Sequence, residues 1–177
     1  MISLEEARSY VMDCCSRRAP VSTEVSDALG LVTAVDVVAE ESLPPFANTA
    51  MDGFAVRSTD VTDAPTQLRI VETIAAGHNP LKSVGQGEAS RIMTGAPVPD
   101  GADAIVMVEK TTVDGDMVTI ETSVESGNHI RPVGDDVSAG ELVFPKGTTL
   151  TAGHLGVLCS LGTVSYTHLT LPTILLV

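Results

Sequence analysis

The chain has 177 residues, with 23 acidic against 10 basic side chains and a formal net charge of −13, room for one ordinary domain or two small ones. A protein that neutralises several phosphates needs a basic face, and the longest basic run here is Arg17-Arg18, so composition argues against nucleic acid and against an anionic membrane surface. Trp is absent, with 3 Phe and 2 Tyr, so the core has to be built from Val, Ile, Leu, Ala and Met.

The three cysteines, Cys14, Cys15 and Cys159, fit neither a disulfide framework nor a CxxC metal clamp, and a reducing, cytoplasmic setting is expected. The start MISLEEARSYVMD carries charges through its first turns and lacks the apolar core of a signal peptide. The most apolar segment, HLTLPTILLV, is short and holds a proline, so no membrane span is expected.

In chain order, Ser3-Leu4-Glu5-Glu6 is a capping box that should start a helix. Leu4, Ala7, Tyr10 or Val11, and Cys14 recur at three- and four-residue steps, which predicts a buried stripe containing Cys14 and a helix that stops before Pro20. Ser26 to Gly30 reads as a short helical turn ended by glycine, and LVTAVDVVA as a strand or extended segment. Pro44-Pro45 removes two backbone donors and fixes an extended path, which suits a domain boundary.

From Phe46 to about Glu125 the pattern changes to short β-type runs, GFAVRST, QLRIVETI, SRIMTG, AIVMVEKT and DMVTIET, with a hairpin expected at Asp114-Gly115. Short strands continue to Gly147 between turns at GDD, SAG and PKG. Thr151 can cap a helix over AGHLGVLCSLG, expected to pack with the first. The fold class is therefore α+β and mostly β. A composite domain of 1–45 and 126–163, built of helices and short strands, is interrupted by a small β-rich domain at 46–125.

Three segments combine glycines with acidic or hydroxyl groups and lack a packing pattern: Asn48-Thr49-Ala50-Met51-Asp52-Gly53, Met93-Thr94-Gly95-Ala96-Pro97-Val98-Pro99 and Arg131-Pro132-Val133-Gly134-Asp135-Asp136. Each could be a turn by itself. Other chemistries find less support. His78, His129, His154 and His168 show no HxH or HxxxH spacing for zinc, and His154 in the second helix is expected to be a packing or surface residue. Ser90, Ser160 and Ser165 lack a GxSxG setting, and Gly85-Gln86-Gly87 lacks the third glycine of a dinucleotide fingerprint.

Together, PPFANTAMDGFAVR, RIMTGAPVPDGADAIVMVE and IRPVGDDVSAGELVFPKGT resemble the amino-terminal half of the molybdopterin molybdenumtransferases, the MoeA and gephyrin E-domain family, over about Ser3 to Gly162. The resemblance implies insertion of molybdate, the substrate ion, into adenylylated molybdopterin with release of AMP and with Mg²⁺, by an elongated homodimer. It implies that Asp52, Thr94 and Asp136 line the active-site cleft and face a catalytic domain of the other subunit, and the candidate roles are catalytic for Asp52 and Asp136 and substrate-binding for Thr94, Gly95 and Arg131. Such a substrate needs carboxylates to hold or orient a metal and its waters, and hydroxyl or N–H donors for anionic oxygens. Asp52 and Asp136 could supply the first, Thr94 and Gly95 the second. Asp135 could exchange roles with Asp136, and Arg131 could either offset substrate charge or pair with the adjacent acids.

In the family this region runs on into a catalytic α/β domain, and SYTHLTLPTILLV matches nothing in that pattern. Residues 164–177 are accordingly expected to be a non-native tail, and the chain alone to be inactive. A scaffold or binding module of the same fold, as in gephyrin, is the alternative function.

Overall fold

The structure, a computed structural model, describes residues 2–14 and 19–162 and the backbone of 169–172. The expectation of a non-native tail falls outside the described residues except for that short backbone stretch. The chain forms two compact units, one of residues 1–43 and 137–177, the other Pro44–Asp136.

In the first unit, helix α1 (Leu4–Cys14) starts where the capping box places it: Glu6 N–H donates to Ser3 Oγ at 3.1 Å and Ser3 N–H to a Glu6 carboxylate oxygen at 2.8 Å. It buries no residue, however. Cys14 is exposed, and so are Leu4, Tyr10, Val11 and Met12, which corrects the expected buried stripe. Strand β1 (Pro20–Thr23) pairs antiparallel with the 169–172 backbone, and a 3-10 turn follows at Val25–Asp27.

The LVTAVDVVA segment is interrupted by a bend at Ala34 and Val35. It forms a bridge from Val32 to Thr149 and a two-residue strand β2 (Val37–Val38), which pairs with Leu142–Phe144. Beyond those residues, helix α2 (Ala152–Ser160) is capped by Thr151, whose hydroxyl accepts from His154 N–H while His154 Nδ1 accepts from Thr151 N–H at 3.1 Å. The ring of His154 stands edge-on to Phe144 at 4.7 Å. Leu158 of α2 packs with Val25, Ala28, Val37 and Leu150, so the buried partners of this helix come from the 3-10 turn and the extended segments. The expected α1–α2 core does not form among the described residues.

In the second unit, β3 (Asn48–Thr49) and β4 (Gly53–Val56) are followed by β5 (Thr66–Ile74), β6 (Glu88–Ile92), β7 (Ala104–Met107), β8 (Thr111–Asp114) and β9 (Met117–Ile120). From β4 onward they build one six-stranded sheet in the order β7-β4-β6-β5-β9-β8. The β5–β6 pair is parallel and the others antiparallel.

Alternate residues face two cores. Phe54, Val56, Ala104 and Val106 join one cluster, while Ala55 and Ile105 join a second with Ile74, Ile92 and Ala96. Leu68 and Ile74 lie an even number of residues apart on β5 and would share a face. A register shift between Ile70 and Glu72 sends Leu68 to the first cluster and Ile74 to the second. The β8–β9 hairpin turns on Gly115-Asp116, one residue later than expected, because Asp114 pairs with Met117 and Gly115 takes the positive φ of 62°.

Residues 126–136, expected in the composite domain, belong to the inserted unit. The reason is hydrogen bonding: Ile105 N–H donates to Asn128 O at 2.9 Å, Gly127 N–H to Asp103 O at 2.7 Å, and β10 (Ile130–Arg131) pairs with β3. The chain returns to the first unit through paired bonds between Leu43 and Val137 and completes β11 (Leu142–Phe144). Among the described residues no helix is long and apolar enough to cross a membrane.

Candidate functional site

Strand β3 is the seam of the site. Thr49 N–H donates to Ala96 O at 3.1 Å and Thr49 O accepts from Gly95 N–H at 2.9 Å, which lays the Asn48–Gly53 segment along the Met93–Pro99 segment. On its other edge β3 pairs with β10, Arg131 opposite Asn48 and Ile130 opposite Thr49. All three glycine-containing segments thus meet around two residues of the inserted unit. The amide oxygen of Asn48 is buried there without a hydrogen-bond partner.

Gly53 explains why the Met51-Asp52-Gly53 turn needs glycine. A Cβ at that position would lie 2.0 Å from Val106 O, a backbone atom of the neighbouring strand β7. The absent side chain lets β4 approach β7 closely, and Asp52 sits immediately before that approach. Its own carbonyl accepts from Val108 N–H at 3.1 Å.

The Asp52 carboxylate is exposed and held at one oxygen. Oδ1 accepts from Thr94 N–H at 2.7 Å and from Thr94 Oγ1 at 2.8 Å. The Thr94 amide, then the Thr94 hydroxyl, hold its carboxyl below the ordinary value of 3.8, with a smaller contribution from the charge of Arg91. The group is therefore ionised at neutral pH, and Oδ2 takes no part in either Thr94 bond. The donors expected to meet anionic oxygens are engaged inside the protein: both donors of Thr94 serve Asp52, and Gly95 N–H serves Thr49 O. In this arrangement the Thr94–Gly95 loop holds a carboxylate, and the Thr94 hydroxyl oxygen remains available as an acceptor.

Arg131, Asp135 and Asp136 form a second cluster. Arg131 Nε donates to Asp135 Oδ2 at 3.1 Å and Nη2 lies 2.7 Å from Asp136 Oδ1. The guanidinium thereby takes the reading in which it pairs with the adjacent acids, and hydrogen bonds first to Asp136 and then to Asp135 raise its pKa. Both aspartates have hold of the cation, so neither is set apart by its partner. Gly134, with φ of 74°, makes the turn that brings them back toward Arg131. Asp52 with Thr94, and Arg131 with its aspartates, are thus two separate clusters joined through the β3–β10 pairing.

Could these residues hold Mg²⁺? Among the described residues no group of three or more His, Cys, Asp or Glu side chains is placed to grip a metal. Mg²⁺ is commonly held by one or two carboxylates with waters and substrate phosphates, and Asp52, ionised, exposed and fixed at one oxygen, fits that pattern. Asp136 fits it less well, because its Oδ1 faces Arg131.

Neither Thr49 nor Gly53 was among the residues expected at the site, although both lie in the Asn48-to-Gly53 segment. A threonine two residues before the centre of a turn is the available signal for the first. Nothing local signals the second, since Val106 is remote in sequence.

The fold and site together define a mostly β module in which a six-stranded inserted unit presents loop carboxylates beside a short seam strand. The chain belongs to the MoeA family: the family model described as MoeA N-terminal region (domain I and II) matches residues 2–162. It is 42% identical over 166 residues to molybdopterin molybdenumtransferase 2 of Mycobacterium tuberculosis, covering 92% of this chain and 41% of that protein. It is 34% identical over 165 residues to the molybdopterin molybdenumtransferase of Staphylococcus epidermidis, covering 91% and 39% respectively. The crystal structure of the molybdopterin biosynthesis moeA protein from Pyrococcus horikoshii OT3 superposes with a TM-score of 0.84 at 30% identity, over 98% of this chain and 46% of that one. The chain therefore spans less than half the length of these relatives, and its mostly β fold with two helices is that of their N-terminal region.

Proposed function

We propose that this chain is the N-terminal part of a cytoplasmic, homodimeric molybdopterin molybdenumtransferase, which inserts molybdate into adenylylated molybdopterin with release of AMP. The observation that carries the reading is the Asp52 carboxylate, fixed at Oδ1 by Thr94 and ionised. Support comes from the 42% identity to a protein of that name.

The substrates, molybdate and a phosphate-bearing pterin, are anions, and a bare carboxylate would repel them. Bound Mg²⁺ would supply the positive charge that offsets this repulsion. Asp52 would hold it, directly or through its waters, and the Thr94 hydroxyl oxygen can accept from a donor on that face. Arg131 has N–H groups beyond the two engaged with Asp135 and Asp136, and these can meet an anionic oxygen. With its two aspartates the Arg131 cluster carries a net negative charge, so it orients substrate more than it attracts it.

On this reading the chain supplies one face of a site whose other face is a catalytic domain of the partner subunit, and the 177 residues alone turn over little or no substrate. The test mixes this chain with a separately expressed catalytic domain from a transferase of the family and assays magnesium-dependent molybdenum insertion. Activity that requires both pieces and is lost in Asp52→Ala is the expected result. Association without turnover would favour the scaffold reading.

A further inference from the structure

Both Asp52 and Thr94 are exposed, and exposed polar pairs hold each other weakly because water competes and two side chains must be ordered. The geometry of their contact has to be imposed from beneath. The residue beneath is Thr49, buried to 1% exposure. Its main chain is bonded in both directions to the 93–96 turn, at Ala96 O and Gly95 N–H. Its hydroxyl is bonded in both directions to Met51, donating to Met51 O at 2.6 Å and accepting from Met51 N–H at 3.1 Å. One buried residue therefore references both halves of the contact: the main chain fixes the turn that carries Thr94, and the hydroxyl fixes the turn that carries Asp52.

We propose that Thr49 is the positioning residue of this site, its hydroxyl pinning the Met51 peptide so that the Asp52 carboxylate meets the Thr94 amide and hydroxyl at a single oxygen. The inference rests on the proposed function only for the use made of Asp52; the pinning itself is a property of the inserted unit. Removing the hydroxyl frees the Met51 N–H and C=O to seek water, since Met51 lies at an exposed turn. The main-chain bonds of Thr49 are independent of the hydroxyl and should survive, so the two turns would stay adjacent while Asp52 loses its fixed position.

The experiment follows the Thr94 backbone amide of the 177-residue chain by NMR, using its proton shift and its hydrogen exchange, in Thr49→Val and Thr49→Ser. Valine keeps the shape without the hydroxyl, and serine keeps the hydroxyl. Thr94 amide exchange about tenfold faster in Thr49→Val, with its shift moved toward that of Asp52→Asn, is expected from loss of one charge-assisted hydrogen bond. Thr49→Ser should restore the wild-type signal, and the Gly95 amide, bonded to the Thr49 carbonyl, should remain protected in both.

A Thr94 amide unchanged in Thr49→Val overturns the proposal, as does failure of serine to rescue. If Thr49→Val does not fold, Thr49→Ala is read in the same way. Unfolding of both also overturns it, because the hydroxyl would then be holding the unit and not the turn. No substrate enters these measurements, so their failure leaves the proposed function standing, and loss of the proposed function leaves them intact.

Discussion

Gly53 and Asp103 show how much single residues decide here, one through a missing atom and the other through its partners. Gly53→Ala places a Cβ against the backbone of β7, which cannot yield as a flexible side chain would. We expect a loss of about 3 kcal/mol, visible as a fall in the urea midpoint, whereas Gly153→Ala, whose added Cβ would meet nothing closer than 3.8 Å, should cost nothing measurable or be stabilising. Asp103 is pushed up by burial, but the Ser58 amide at 2.6 Å and hydroxyl at 2.8 Å, with Ser126, outweigh that and leave its carboxyl below 3.8. A carboxyl lowered by folding stabilises the fold above its unfolded value, and that contribution is lost as pH falls through the folded value. Ser58→Ala should therefore raise the Asp103 pKa and move the acid-unfolding midpoint to higher pH, with no change in stability near neutrality beyond that of the lost bonds; an acid midpoint that stays put would contradict this. The sequence shows Asp103 as one more acid near a glycine, since Ser58 is far from it along the chain. It likewise shows Asp52 and Thr94 as members of two motifs, and their contact, bridging 42 positions, is legible only in three dimensions.

Among the elements, those defined by their own ends were read well. The Ser3 and Thr151 caps depend on side chains three residues apart, and both helices begin where these predict. Burial was not legible in the same way. The spacing of Leu4, Tyr10 and Cys14 defines a stripe, but whether a stripe is covered depends on what lies against it, and in this chain α1 buries none of its residues. That exposure gives a sharp expectation for Ser3→Ala. The helix should lose about 1 kcal/mol of local stability and its amides should exchange faster, while the global unfolding midpoint stays the same because no core residue depends on α1. Co-migration of the global midpoint with the helix would show that α1 is coupled to the rest of the unit. In LVTAVDVVA the β-branched composition marks an extended path, yet most of it finds no ladder partner, so composition alone overstates the strand. The one-residue offset of the β8–β9 turn has a similar origin. Asp114 and Gly115 both tolerate positive φ, but the register closes with the glycine alone in that region.

For the whole molecule, Pro44-Pro45 marks in the sequence where the second unit begins, whereas its far boundary required the hydrogen bonds of 126–131 to place, and the expected packing of the two helices, from which the insertion was inferred, does not form among the described residues. The inserted unit contains its own sheet, both of its cores and all five of the residues expected at the site. Its ends are close, with Gly134 N–H donating to Pro44 O at 3.0 Å. Residues 44–136 expressed alone should therefore fold cooperatively and retain the protected Thr94 amide; a disordered spectrum from that piece would show that the first unit is needed for its stability.

The paired Leu43–Val137 bonds, at 2.7 and 3.1 Å, have a mechanical meaning as well. Both described ends of the chain belong to the first unit, so tension applied at those ends reaches the inserted unit only after this clasp has parted. The six-stranded sheet is thereby shielded from load. Stretching a single molecule should first pull out the first unit, and only then, in a separate event adding on the order of 300 Å of contour, release the segment that carries Asp52.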